Sequence, residues 1–139
     1  MTRVALPLPG RVGRPTRVGG VIEIWLYPAC SKCRTAESEL KAAGVDYTVR
    51  RYLDEPPTVA ELEDVLARLG LEPWDIARTA DASKLGVTLP AKDAEHRAEW
   101  LAAMAAEPRL IQRPILTASD GTTVVGRDPE ALSRVIAAD

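Results

Sequence analysis

The chain is poor in aromatic residues, with no phenylalanine, three tryptophans and three tyrosines among its 139 residues. Because single-stranded nucleic acids are bound largely by stacking of bases on aromatic side chains, this composition argues against a nucleic-acid partner. The sequence also lacks an apolar run near the roughly 20 residues of a membrane-spanning helix, and its N-terminus lacks the apolar core of a secretory signal. We therefore expect a cytoplasmic protein that does not associate with membranes.

Charge is distributed unevenly along the chain, whose formal net charge is -2. The first 20 residues hold four arginines and no acidic residue, so the rest carries 14 basic and 20 acidic side chains. That first segment contains several prolines and glycines and shows neither a helical nor a strand period, which predicts a flexible basic N-terminal extension over 1–20. The remaining residues 21–139 are expected to form one domain with its own core.

The first half of this domain alternates strands and helices. Apolar side chains alternate over 21–27, which predicts a strand, and apolar residues at helical spacing predict a helix over 31–43. A second strand is predicted over 45–52. Thr58 and Glu61 have the spacing of a capping box, which predicts the start of a second helix.

The second half contains helices followed by a hairpin. Segment 74–85 is mixed and predicts one or two helical turns, and 94–106 predicts a longer helix. A turn with glycine separates two predicted strands, 114–118 and 122–126. Asp128 then stands at the N-cap position of a last helix. This order predicts a mixed α/β domain in which a helical segment is inserted before the hairpin.

A pair of cysteines, Cys30 and Cys33, lies between the first strand and the first helix. The helix dipole and unpaired backbone N–H groups stabilise a thiolate at this position, and Lys32 adds a nearby cation. Cys33 is then placed to attack an adduct formed on Cys30. The alternatives are two inert thiols or half of a zinc site. Zinc would require four ligands and the chain has a single histidine, His96, so we expect no metal.

Three arginines lie outside the predicted helix faces, at Arg78, Arg113 and Arg127. Guanidinium groups bind tetrahedral oxyanions through paired hydrogen bonds, so the three are candidates for an anion site. Scattered surface ion pairs are the alternative. The Arg113–Pro114 bond is a candidate for the cis form, although most such bonds are trans.

Several short motifs together resemble the arsenate reductase ArsC family, which also contains the Spx and YffB branches. The resemblance runs in order from about Val21 to Ile136. Its motifs are YPAC at 27–30, RRYLDEPP at 50–57, IAR at 76–78, IQRPI at 111–115 and GRDP at 126–129.

The resemblance implies a thioredoxin/glutaredoxin-like mixed sheet flanked by helices with an inserted helical segment. It also implies a thiol-dependent arsenate reductase with no bound cofactor, supplied with electrons by glutathione, mycothiol, or a glutaredoxin- or thioredoxin-like protein. The residues implicated are a nucleophilic Cys30, Cys33 as a second thiol, a cis proline at Pro114, and oxyanion-binding arginines at Arg78, Arg113 and Arg127.

Two departures from the family pattern keep alternatives open. Leu26 and Tyr27 stand where glutaredoxin-dependent family members typically carry His-Asn, whose histidine helps to make the cysteine reactive. Cys33 stands where those enzymes usually have a hydroxyl residue, and it resembles the paired thiols of the Spx branch. The alternatives are a YffB-type oxidoreductase acting on glutathione adducts, or an Spx-like redox regulator whose partner is RNA polymerase.

Overall fold

The computed structural model describes residues 21–138, so the predicted extension over 1–20 lies outside the described residues. Four strands and four α-helices build the domain. They are β1 (Ile22–Leu26), α1 (Ser31–Ala43), β2 (Tyr47–Arg51), α2 (Val59–Leu69), α3 (Arg97–Ala106), β3 (Ile115–Thr117), β4 (Thr123–Val125) and α4 (Pro129–Ala138). Single 3-10 turns lie between α2 and β3, at Pro73–Asp75, Thr79–Asp81, Ala94–His96 and Pro108–Leu110.

The strands form one mixed sheet in the order β2-β1-β3-β4. β1 pairs with β2 in parallel, whereas β3 is antiparallel to both β1 and β4. The helix α1 makes the crossover that two parallel neighbours require. The predicted mixed α/β architecture and the inserted helical segment, between α2 and β3, are both present.

Most of the helices begin and end where local sequence signals predict. Thr58 and Glu61 form the predicted capping box of α2. The Oδ1 atom of Asp128 accepts the Ala131 N–H at 2.8 Å and caps α4. The helix predicted over 94–106 begins instead as a 3-10 turn, which Asp93 caps and which leads into α3.

Each face of the sheet buries its own apolar cluster. One cluster joins β1, β3 and β4 to α1 and α4, and it includes Ile24 and Cys33. The other contains Trp25, Tyr52 and Trp100 and joins the sheet to α2, α3 and the inserted segment. Along β1 the alternating side chains therefore serve two cores, which explains the period of two. Within residues 21–138 we find no helix with the length and apolar character to span a membrane.

Candidate active site

Cys30 lies at the junction where β1 ends and α1 begins. It occupies the N-cap position of α1, and its own N–H donates to the Tyr27 carbonyl at 3.0 Å, which closes the turn. Its side chain is partly exposed, whereas Cys33, one helical turn later, is fully buried. The N–H of Tyr27 donates to the sulfur of Cys33 at 3.4 Å. One thiol therefore faces solvent and the other lies in the core, and both are free.

The surroundings of Cys30 lower its pKa to about 7. Burial opposes ionisation and is the largest single influence, but several hydrogen-bonding groups together exceed it. They are the backbone N–H of Cys33, the Arg113 guanidinium, the Cys33 thiol and the backbone N–H of Lys32. The cation acting on the sulfur is thus Arg113, while Lys32 contributes through its backbone. A substantial fraction of Cys30 is thiolate at neutral pH, as a nucleophile requires.

Cys33 shows the opposite behaviour, with its pKa raised to about 12. Burial is the main cause, and the negative charge of Cys30 adds to it, against a hydrogen bond from the Tyr27 N–H. The thiol that solvent reaches is therefore the one that ionises, and the buried thiol stays protonated. This asymmetry makes Cys30 the more reactive of the two thiols toward an external electrophile.

Arg113 is the arginine that the fold brings to Cys30. Its guanidinium lies over the ring of Tyr27, 4.6 Å from the centroid, and it interacts with the sulfur of Cys30. The Arg113–Pro114 peptide bond is cis, the form that the resemblance implies. The Nε atom of Arg113 is buried and has no hydrogen-bond partner among residues 21–138. Since buried donors are nearly always paired, an unpaired Nε is unusual.

Arg78 approaches the same region from the inserted segment. Its backbone N–H donates to the Leu110 carbonyl at 2.6 Å, and Ala77 and Ile111 form an isolated antiparallel bridge. These contacts hold the backbone of Arg78 beside the chain that leads into β3. The Nε of Arg78 donates to Asp81 at 2.7 Å. Arg78 thus already has a carboxylate partner. This contact is of the kind predicted by the alternative interpretation, in which the arginines form scattered ion pairs.

Arg127 lies on the other side of the backbone of Arg113. Its guanidinium donates to the Arg113 carbonyl at 2.7 Å. It also lines a shallow pocket with the first turns of α1 and α4, including Lys32 and Asp128. The main groups that alter the pKa of Cys30 do not include Arg127. The structure therefore places Arg113 against the thiol, with Arg127 bonded to its main chain.

Two further polar residues join the site and were not singled out in the sequence. Tyr52 is fully buried, and its hydroxyl donates to the Ile111 carbonyl at 3.3 Å and interacts with Arg113. Asp81 experiences the charges of both Arg78 and Arg113. The hydroxyl of a buried tyrosine needs a hydrogen-bond partner. A tyrosine at the end of a predicted strand is therefore the sequence signal that could have pointed to Tyr52.

The remaining titratable candidate, His96, lies away from these groups. It bonds Asp93 at 2.6 Å through Nδ1, and this contact raises its pKa. Among residues 21–138, no group of three or more histidine, cysteine, aspartate or glutamate side chains is arranged to hold a metal ion.

The family model described as ArsC family matches residues 25–135, a span that includes both cysteines, Tyr52 and the three arginines. The chain belongs to the ArsC family. This confirms the resemblance seen in the motifs.

Sequence alignments of this ArsC family member with two curated relatives cover most of its described domain. A Streptomyces viridochromogenes protein, known as an uncharacterized protein in the glnII region, is 59% identical over 80% of this chain and 95% of its own length. A Neisseria meningitidis protein named arsenate reductase is 37% identical over 83% of this chain and 97% of its own.

A solved structure confirms the fold of the ArsC family domain. The arsenate reductase from Vibrio cholerae aligns with a TM-score of 0.67 and 32% identity, over 84% of this chain and 98% of its own. The mixed four-stranded sheet with flanking helices is therefore the thioredoxin-like fold that the resemblance implies.

Proposed function

We propose that this protein is a thiol-dependent arsenate reductase in which Cys30 is the nucleophile. The observation that carries the proposal is the pairing of an ionisable, solvent-reachable Cys30 with Arg113, whose Nε is buried and unpartnered. An oxyanion is a ligand that satisfies such a donor and brings an electrophilic centre to the sulfur. The relatives named arsenate reductase support arsenate as that oxyanion.

In the first step the Cys30 thiolate attacks arsenic. A sulfur–arsenic bond forms and one arsenic–oxygen bond breaks, and the leaving hydroxyl takes up a proton and departs as water. Arsenic remains As(V) in this adduct. Arg113 offsets the charge of the oxyanion and the charge that develops during displacement. Arg78 and Arg127 are the further candidates for binding the oxyanion, since both attach to the backbone segments that flank Arg113.

In the second step a thiol attacks the sulfur of Cys30. A disulfide bond forms, the sulfur–arsenic bond breaks, and its electron pair passes to arsenic, which leaves as As(III) in arsenite after taking up protons. Two thiols are thus oxidised to one disulfide for each arsenate reduced. The second thiol is Cys33 or an external thiol such as glutathione.

The closeness of the two sulfurs favours Cys33 for this step, because Cys33 lies one helical turn after Cys30 and its thiol interacts with the Cys30 sulfur. Once Cys30 carries an adduct its negative charge is gone, which removes one of the influences that raise the pKa of Cys33. An external reductant then restores the pair by attacking the reachable sulfur of Cys30, because Cys33 is fully buried. The electrons therefore come from a diffusible thiol or a glutaredoxin-like protein rather than from a bound cofactor.

The test is arsenite production by purified protein with glutathione, mycothiol and a glutaredoxin or thioredoxin system offered separately. Cys30→Ser should abolish turnover, and Cys33→Ser should cripple it or make it depend entirely on an external thiol. Mass spectrometry of trapped Cys30 identifies the intermediate. Undiminished arsenite production by Cys30→Ser would reject the mechanism.

A second candidate function follows from the paired thiols themselves. A reachable thiol with a lowered pKa beside a buried one with a raised pKa is also suited to thiol–disulfide exchange with glutathione adducts, as in the YffB-type alternative. A glutathionylated model peptide assayed beside arsenate separates the two functions. Arsenate turnover without deglutathionylation would eliminate the exchange activity.

A further inference from the structure

Tyr52 is a buried tyrosine with a polar environment at one end only. It follows the last residue of β2, its side chain is 0% exposed, and its ring belongs to the apolar cluster beneath α2 and α3. Its hydroxyl donates to the Ile111 carbonyl at 3.3 Å. Because a hydroxyl has one proton, this contact leaves the phenolic oxygen as an acceptor.

Arg113 interacts with this phenolic oxygen. The charge and hydrogen bond of Arg113 act on the Tyr52 hydroxyl, against burial, which raises the pKa of that hydroxyl to about 12. Tyr52 therefore stays protonated over the range in which Cys30 ionises. Its proton points at a fixed carbonyl, so the orientation of the hydroxyl is determined by the backbone of Ile111, and its oxygen is left to interact with the guanidinium.

Arg113 is consequently held from two sides by tyrosines. The ring of Tyr27 supports one face of the guanidinium at 4.6 Å, and the buried hydroxyl of Tyr52 interacts with it from the core. An arginine side chain left free would sample many rotamers, and ordering it costs free energy each time a charge must be stabilised. Two fixed contacts remove most of that freedom before any ligand arrives.

We propose that Tyr52 is a positioning residue that holds the Arg113 guanidinium against the sulfur of Cys30. The role deepens the proposed function and rests on it, since a fixed guanidinium serves both the thiolate and the bound oxyanion. Tyr52 acts through Arg113 and does not itself touch the reacting atoms. Tyr27 supplies the other half of the support, from the position where other family members typically carry a different residue.

The experiment measures ionisation of Cys30 without arsenate. The rate at which iodoacetamide alkylates Cys30, followed by mass spectrometry across pH, gives the midpoint of thiolate formation. Tyr52→Phe removes only the hydroxyl. Tyr47→Phe is the matched control, because the Tyr47 hydroxyl donates to Glu37 at 2.9 Å and Tyr47 pairs with Ile22, at the opposite end of β1 from the thiols. Both variants are repeated in an Arg113→Gln background.

In the wild-type background, Tyr52→Phe should move the midpoint to higher pH, while Tyr47→Phe leaves it unchanged. A shift of about one unit would lower the thiolate fraction at pH 7 roughly fivefold. In the Arg113→Gln background the effect of Tyr52→Phe should vanish, because the group through which it acts is gone. With arsenate as substrate, kcat should fall more than KM rises.

Two results would overturn the proposal. One is an unchanged midpoint in Tyr52→Phe, and the other is an equal shift with and without Arg113, which would mark a general loss of structure. The alkylation readout keeps this test separate from the proposed function. A wild-type protein that reduces no arsenate would reject the proposed function, and the midpoints would still decide whether Tyr52 positions Arg113.

Discussion

Arg78 and Asp81 form an ion pair, with 2.7 Å between Nε and Oδ2, in the 3-10 turn that faces Arg113. Both side chains are about a quarter exposed. The hydrogen bond from Arg78, followed by the charges of Lys84 and Arg113, holds the pKa of Asp81 below its usual range, so the carboxylate is ionised at neutral pH. An oxyanion that binds Arg78 must therefore share it with Asp81 or displace the carboxylate.

This competition predicts that Asp81→Asn binds arsenate more tightly. The amide keeps the shape of the side chain and removes a negative charge that repels the substrate. An ion pair that solvent can reach is weak, so KM for arsenate should fall only roughly two- to fivefold. Steady-state kinetics at low salt measure the effect. Asp64→Asn, which breaks a comparable pair with Arg68 on α2, is the control and should leave KM unchanged.

The Cys30–Arg113 interaction predicts a pH dependence of reactivity. Because the pKa of Cys30 is lowered to about 7, its alkylation rate should rise with pH through a midpoint near 7 and level off above it. Arg113→Gln removes a group that favours the thiolate, so the midpoint should move to higher pH by about one unit. Arg68→Gln, on α2, serves as the control. A midpoint unaffected by Arg113→Gln would show that backbone N–H groups alone stabilise the thiolate.

The placement of Cys30 follows from sequence because it depends on local structure. The strand before it, the turn at Tyr27 and the helix ending at Gly44 each carry short-range signals. These signals predict that Cys30 lies at the N-cap position, where backbone N–H groups stabilise a thiolate. Much of the tendency of Cys30 to ionise is therefore predictable from sequence. The capping box at Thr58 is another such case.

The choice of Arg113 over Lys32 as the activating cation could not be inferred in this way. It depends on the pairing of β3 with β1, which sets Ile115 opposite Trp25 and brings Arg113 to the end of β1, a contact between distant parts of the chain that hydrophobic periodicity does not encode. Tyr52 was overlooked for the same reason, since its position at the end of a strand indicates burial but not which group its hydroxyl meets. Long side chains can reach several partners, and only the tertiary fold selects one.

Gly126 lies where β4 approaches α4, beside the cis proline. A Cβ atom at this position would lie 2.5 Å from Leu116 Cδ1 and 3.0 Å from Leu132 Cδ2. Both leucines are buried and cannot move freely, so Gly126→Ala should lower the free energy of unfolding by about 1–3 kcal/mol. Urea denaturation measures the change. Ser133→Ala, on the exposed side of α4, is the control. If the two variants were equally stable, Gly126 would not be closely packed against the two leucines.

Arg50 and Glu61 predict how the fold responds to acid. Arg50 binds both carboxylate oxygens of Glu61, at 2.6 and 3.0 Å, and so ties β2 to α2. The Arg50 hydrogen bond, with a contribution from the Thr58 backbone N–H, lowers the pKa of Glu61 to about 2. A carboxyl group whose pKa is depressed on folding stabilises the native state above its unfolded pKa, near 4.3, and loses that contribution as pH falls toward 2.

Glu61→Gln preserves the size of the side chain and much of its capping geometry but removes the charge. Because Glu61 is 42% exposed, we expect the variant to be less stable at pH 7 by only about 0.5–1 kcal/mol. The difference from wild type should narrow as pH falls below about 4. Urea denaturation of both proteins between pH 7 and pH 3 measures it. A difference that stays constant over this range would mean that Glu61 acts through packing rather than through its charge.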